Sequence, residues 1–161
     1  MTGVQTCALD LDGREIGDGP LIAWSQHNLG HVALQAGDLP AAAGRLRESL
    51  TLRRRAGPHV NLATSLAGFA GLAVRADSFT EAAWLFGAAD AMLDAVHGVL
   101  PPADEVVRRA DLGLVRDRLD SGVFDAATAE GRKADLDAVD RLTEGLAQKS
   151  RRDPTTSQAA W

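Results

Sequence analysis

Asn28-Leu-Gly-His-Val-Ala-Leu-Gln-Ala-Gly-Asp-Leu-Pro-Ala-Ala-Ala43 and Gly68-Phe-Ala-Gly-Leu-Ala-Val-Arg-Ala-Asp-Ser-Phe-Thr-Glu-Ala-Ala83 are two versions of one pattern. At an offset of forty residues Leu29 falls on Phe69, Val32 on Leu72, Ala33 on Ala73 and Ala36 on Ala76. Past a turn, Leu39 falls on Phe79, Ala42 on Ala82, Leu46 on Phe86 and Ser49 on Ala89. Apolar and small side chains recur at the same helical phase, the mark of a repeat architecture. Each copy is expected to be a helix, a tight turn and a second helix. In the first copy Leu29, Val32, Ala33 and Ala36 form the expected inner face, and Gly37 stops the helix. Asp38 then caps the next helix, with Pro40 tolerated in its first turn. That helix is expected to bury Leu39, Ala42, Ala43, Leu46, Leu50 and Leu52 and to end at Gly57-Pro58. In the second copy Asp77-Ser78 make the turn, and Phe79, Ala82, Ala83, Phe86, Ala89 and Leu93 face inward.

Composition agrees with this reading. Aromatic residues make up only 4% of the 161-residue chain, with no Tyr, and Ala is abundant. Such a chain favours helices packed closely through small residues, and the period-two runs that a sheet needs are missing. The formal net charge is −5, which argues against a surface built to neutralise nucleic-acid phosphates. Residues 21–97 carry six acids and six bases, whereas 98–148 carry eleven acids and seven bases. No apolar run approaches the roughly 20 residues of a membrane span, and no signal-peptide pattern opens the chain. One Cys cannot form an internal disulfide, so the expected compartment is cytoplasmic. The expected fold is therefore all-α, an α-solenoid of antiparallel helix pairs with a C-terminal helical cap. Residues 1–20 are expected to be a disordered leader, 21–97 the two hairpins, 98–148 the capping helices and 149–161 a flexible tail. Within the cap, Val106, Val107, Ala110, Leu114, Val115 and Leu119 make the expected buried stripe of one helix. Leu136, Val139, Leu142 and Leu146 do so in the last.

Three resemblances add to this. Leu29-Gly30, Gly37, Ala42, Leu46 and Ser49 stand at the spacings of the tetratricopeptide repeat, although Ala33 replaces the usual Tyr and Ser49 the usual Ala. The second copy has Ala70 and Asp77 in place of both glycines, and the offset exceeds that family's thirty-four residues. Glu48-Ser-Leu-Thr-Leu-Arg-Arg54, Leu85-Phe-Gly-Ala-Ala-Asp-Ala91, Leu100-Pro-Pro102 and Asp125-Ala-Ala-Thr-Ala-Glu-Gly131 resemble the helical C-terminal region of large bacterial signal-transducing NTPases. Those are related to LuxR- or SARP-type transcription regulators. This second resemblance implies a non-catalytic interaction scaffold, a fragment of such a regulator. Its partners would be proteins or peptides, including other domains of the parent, with self-association also open to it. No phosphate loop or basic recognition helix is present, so ATP and DNA binding are not carried over, and neither a cofactor nor a membrane or direct nucleic-acid partner is expected. Met1-Thr-Gly-Val-Gln-Thr-Cys-Ala-Leu9, finally, resembles the translation of a short-read sequencing adapter. That implies that Cys7 is foreign and that the reading frame begins inside a longer gene.

The residues that bear chemistry are few. Trp24, His27, His31 and Gln35 share one helix face by their three- and four-residue spacing. By resemblance to the repeat family they face the concave groove, where Trp can anchor a bound peptide. Packing against a preceding repeat is an equal alternative. His27 and His31 also stand at a spacing that lets two imidazoles meet one metal ion. A metalloprotease motif would have Glu where this chain has Asn28, and no third ligand stands at a recognisable spacing, whereas zinc needs three or four. The Asp10-Leu-Asp-Gly13 run resembles the nucleophile loop of haloacid-dehalogenase-like phosphatases. A small metal-dependent or phosphatase-like enzyme, using His27 and His31 or Asp10 and Asp12, is therefore the alternative function. Arg53-Arg54-Arg55 are expected to serve a helix C-terminus.

Overall fold

The computed structural model describes residues 9–56 and 60–152, with side chains at 19–55 and 61–152. The adapter-like segment, Cys7, the side chains of Asp10 and Asp12, and the tail beyond Arg152 lie outside these. Seven helices, with no strand among the described residues, make up the fold. They are α1 (Leu9–Gln35), α2 (Leu39–Ala56), α3 (Val60–Arg75), α4 (Phe79–Ala95), α5 (Pro102–Arg118), α6 (Ser121–Gly131) and α7 (Leu136–Arg152). The chain is all-α, as its composition implied.

The two copies close in the same way. Gly37 (φ 76°) and Asp77 (φ 52°), forty residues apart, both take the left-handed conformation that ends a helix. After each, the next amide reaches back into the helix, Asp38 N to Ala33 O at 3.0 Å and Ser78 N to Ala73 O at 2.8 Å. This is the Schellman closure, and Asp at position 77 tolerates it because its short polar side chain suits that region. Asp38 Oδ1 accepts from Ala41 N at 3.0 Å, the expected cap of α2. Leu46 and Phe86, the matched pair beyond the turn, are both buried, as are Ala42 and Ala82. Leu46 lies between α1 and α3: a Cβ on Gly30 or on Gly68 would come within 2.8 Å of its side chain.

α3 is the central helix, in contact with α1, α2, α4, α5 and α7, and Leu62 through Val74 are buried without a break. α6 packs on α4 at a backbone-to-backbone crossing. A Cβ on Gly87 would lie 2.2 Å from Thr128 O, and one on Gly131 would lie 1.9 Å from Trp84 O. The pairing of 84 with 131 and of 87 with 128 makes the two helices antiparallel there. α7 returns across α2, tied by the ion pairs Arg47–Glu144 and Arg54–Asp140.

Several expectations are corrected. Helical backbone begins at Leu9, within the segment expected to be a disordered leader, and Pro20 lies inside α1. Gly and Pro weaken a helix but do not forbid one, since Pro removes a single intrahelical bond. Lys149 and Ser150 belong to α7, not to a loose tail. The Lys149 ammonium donates to Ala76 O at 3.2 Å and Ser78 Oγ at 2.6 Å, closing the end of α3, and Ser150 is buried. In α5 part of the expected stripe holds, with Val115 buried and Val107 and Leu119 half-buried, but Val106, Ala110 and Leu114 are exposed, and Asp104, Arg108 and Asp111 share the inner face with Val115. In α1, Leu29 and Val32 face outward, and Ala23, His27, Gly30 and Leu34 face the core. Both shifts have one cause, polar side chains buried against each other.

Candidate functional site

The groove strip expected on α1 divides. Trp24 (59% exposed) and Gln35 lie on the surface, His31 is half-buried, and His27, only 2% exposed, points into the molecule. His27 therefore does not belong to an open peptide groove. It turns inward because its neighbours at helical spacing, Ala23, Gly30 and Leu34, are the residues that pack on α2 and α3. Gly68 of α3 lies beside the ring, where a Cβ would sit in ordinary contact, 3.4 Å from His27 Cε1.

What His27 meets is Asp104, in the first turn of α5. The Pro101-Pro102 pair ends the connection from α4 and starts α5 with Pro at its head, a position where its missing N–H costs nothing. His27 Nε2 donates to Asp104 Oδ1 at 2.8 Å. The donor role puts a proton on Nε2, and Nδ1 is buried without a hydrogen-bond partner among the described residues. His31 Nε2 lies 3.8 Å from the same carboxylate oxygen, too far for a hydrogen bond, and is itself buried and unpartnered. The two imidazoles stand edge to face with centroids 4.5 Å apart. One nitrogen of each His and one Asp104 oxygen lie within 4.8 Å of one another. These are the described residues that could hold a metal ion.

Charge balance follows from burial. Burial and the neighbouring His27 push the His31 imidazole down to about 4, against the pull of Asp104, so it is neutral at physiological pH. Burial pushes the Asp104 carboxyl up, but the His27 hydrogen bond and the His27, His31 and Arg53 charges outweigh it and hold the group below its usual range. Arg53, the first of the basic triplet, is buried and donates to Asn61 O at 2.9 Å and Ser65 Oγ at 3.0 Å. Arg54 pairs with Asp140, so two of the three arginines serve the fold. A second buried acid, Asp111 of α5, takes Arg75 Nη1 at 3.2 Å. Burial raises its carboxyl above the usual range although Arg75 opposes the shift.

The sequence had offered His27 and His31 without a third ligand. Asp104 supplies it from seventy-seven residues away, a pairing that spacing along the chain does not reveal. The backbone around Asp10 and Asp12 is helical, not the strand and loop of a phosphatase nucleophile. Among the described residues no helix is long and apolar enough to cross a membrane. Comparisons with protein-family models, with curated proteins and with solved structures find no match for this chain.

Proposed function

We propose that the chain is a non-catalytic helical-repeat scaffold that binds protein through α1, as the C-terminal part of a larger bacterial transcription or signalling regulator. The observation that carries this reading is a difference between the two repeat copies. Leu29 is 47% and Val32 62% exposed, whereas Phe69 and Leu72, their counterparts forty residues on, are fully buried. α3 packs against α1 and α2 of the same chain, with His27, Leu34 and Leu46 set against Gly68 and Gly71. The equivalent α1 face has nothing over it among the described residues. Leu21 and Ile22 extend it, both exposed, and with Ser25, Leu29, Val32 and Ala36 they follow one side of the helix.

An apolar stripe of that length marks an interaction surface. Its proposed occupant is a helix pair of the same kind, because α3, the repeat counterpart of α1, packs against such a pair. Stacking of this sort is how solenoids bury a continuous core, which supports the tetratricopeptide-like reading. Trp24 stands at the margin of the stripe as the aromatic anchor. In a chain without the preceding unit, the face should pair with the α1 of a second copy. Sedimentation of the full chain over a concentration series is expected to show a dimer that Leu29→Glu with Val32→Glu abolishes, leaving helicity unchanged and removing only the concentration dependence of melting that dimerisation brings. A wild-type chain monomeric up to its solubility limit, or a double variant that dimerises equally well, overturns the reading.

A further inference from the structure

We propose that His27 Nε2, His31 Nε2 and one carboxylate oxygen of Asp104 form a binding site for one divalent transition-metal ion of the zinc type, which staples α1 to the start of α5. The inference is independent of the scaffold reading, since it concerns the side of α1 opposite the bare stripe.

The geometry points to an ion rather than to hydrogen bonding alone. Buried polar atoms are nearly always paired, yet His31 Nε2 is buried without a partner, next to an oxygen at 3.8 Å that it cannot reach. Zinc–nitrogen and zinc–oxygen bonds of about 2.0–2.1 Å in a tetrahedral site place neighbouring ligand atoms about 3.3 Å apart. The two separations from Asp104 Oδ1, 2.8 Å to His27 and 3.8 Å to His31, fall on either side of that value. An ion seated between them would take the place of the proton on His27 Nε2, which passes to Nδ1. It would also give His31 Nε2 the partner it lacks.

The donor set decides the class of ion. Two imidazoles and one carboxylate suit zinc and its first-row neighbours, whereas magnesium and calcium take oxygen ligands. Of the three ligands only the carboxylate brings a negative charge, which the Arg53 guanidinium opposes at a distance. The affinity should therefore be moderate. His31 and Asp104 keep 19% and 17% of their side-chain surface, which provides the route of entry and the side on which water completes the coordination. α1 packs on α2 and α3, and α5 on α3, α4 and α6. The His–Asp cluster thus joins two helices that share little other contact.

The test uses the full chain, stripped with a chelator. Zn²⁺ is followed by titration calorimetry and Co²⁺ by visible absorption. One ion per chain is expected, with a melting temperature raised by zinc. His31→Gln and Asp104→Asn should each weaken binding by about 10- to 100-fold or more, since that is the loss usual even for residues behind the ligands. Both should also lose the thermal shift. His97→Gln and Cys7→Ser should change neither readout. Among the described residues His31 Nε2 has no hydrogen-bond partner, so His31→Gln should fold and decides the matter even if Asp104→Asn does not. Absence of saturable Zn²⁺ and Co²⁺ binding by the folded wild type, or unchanged affinity in His31→Gln, overturns the proposal.

Discussion

Replacing Gly87 by alanine would place a Cβ 2.2 Å from the carbonyl oxygen of Thr128, and replacing Gly131 would place one 1.9 Å from that of Trp84. Ordinary carbon–oxygen contacts lie near 3.3–3.6 Å, so α4 and α6 must part by about 1 Å or more. Because the obstacle is backbone, no rotamer change relieves it. Overpacking of this kind costs about 1–3 kcal/mol and occasionally more, and a gap of that size forfeits a quarter to a half of each dispersion contact along the crossing. Against this, Gly→Ala in a helix gains roughly 0.5–1 kcal/mol. Gly87→Ala is therefore expected to destabilise by about 1–3 kcal/mol. Gly131→Ala, at the end of α6 where the propensity gain is small, should lose at least as much. Gly113 of α5 is the control, because a Cβ there meets nothing within 4 Å. Gly113→Ala should stabilise by about 0.5–1 kcal/mol. The double variant at 87 and 131 should lose less than the sum, since one separation of the helices relieves both clashes. Urea unfolding followed by circular dichroism reads all four. For a chain of this size each kcal/mol moves the melting temperature by about 2–4 °C. Gly87→Ala at or above wild-type stability would mean that the α4–α6 crossing is not formed as described.

Leu46, fully buried between α1 and α3, should lose about 2–5 kcal/mol on replacement by alanine, whereas Leu29→Ala on the bare face should change stability little; equal losses in urea unfolding would refute the phase assigned to α1. Asp111 is a pH probe. Its folded-state pKa is raised, by burial, above the unfolded value, so its favourable contribution is present at acid pH and lost as pH rises through the folded value. Relative to Asp111→Asn, the wild type should thus gain stability as pH is lowered toward and below about 4, the unfolded carboxylate range. A stability difference that is flat or of opposite slope would show that Arg75, not burial, dominates.

The parts of the fold that the sequence disclosed are those where small and apolar side chains settle the phase by themselves. Ala42, Leu46 and Ser49 match Ala82, Phe86 and Ala89, and all six are buried. The repeated turn was equally legible in Gly37 and Asp77. What stayed hidden depends on partners remote in the chain. Gly87 and Gly131 are visible as glycines, but the carbonyls they admit belong to a crossing that no local pattern announces. The same holds for the site. His27 and His31 declared themselves by spacing, whereas Asp104 stands in the first turn of α5, where an acid is commonplace and signals no ligand.

The two helices whose faces were misjudged are the two that carry the buried polar groups, and geometry makes that a single fact. At 100° per residue, Val106 lies about 200° round α5 from Asp104, so a helix that turns Asp104 and Asp111 inward must turn Val106 outward. On α1, Leu29 lies about 200° from His27 by the same arithmetic, and burying His27 with Leu34 leaves Leu29 and Val32 bare. Buried ionic contacts add little net stability once desolvation is counted. The His27–Asp104 and Arg75–Asp111 pairs therefore act mainly by fixing how α1 and α5 are rotated about α3. That rotation creates the metal-ligand cluster on one side of α1 and the apolar stripe on the other. A variant that frees α1 from Asp104 should therefore disturb both faces together, while one confined to the stripe should leave the cluster intact.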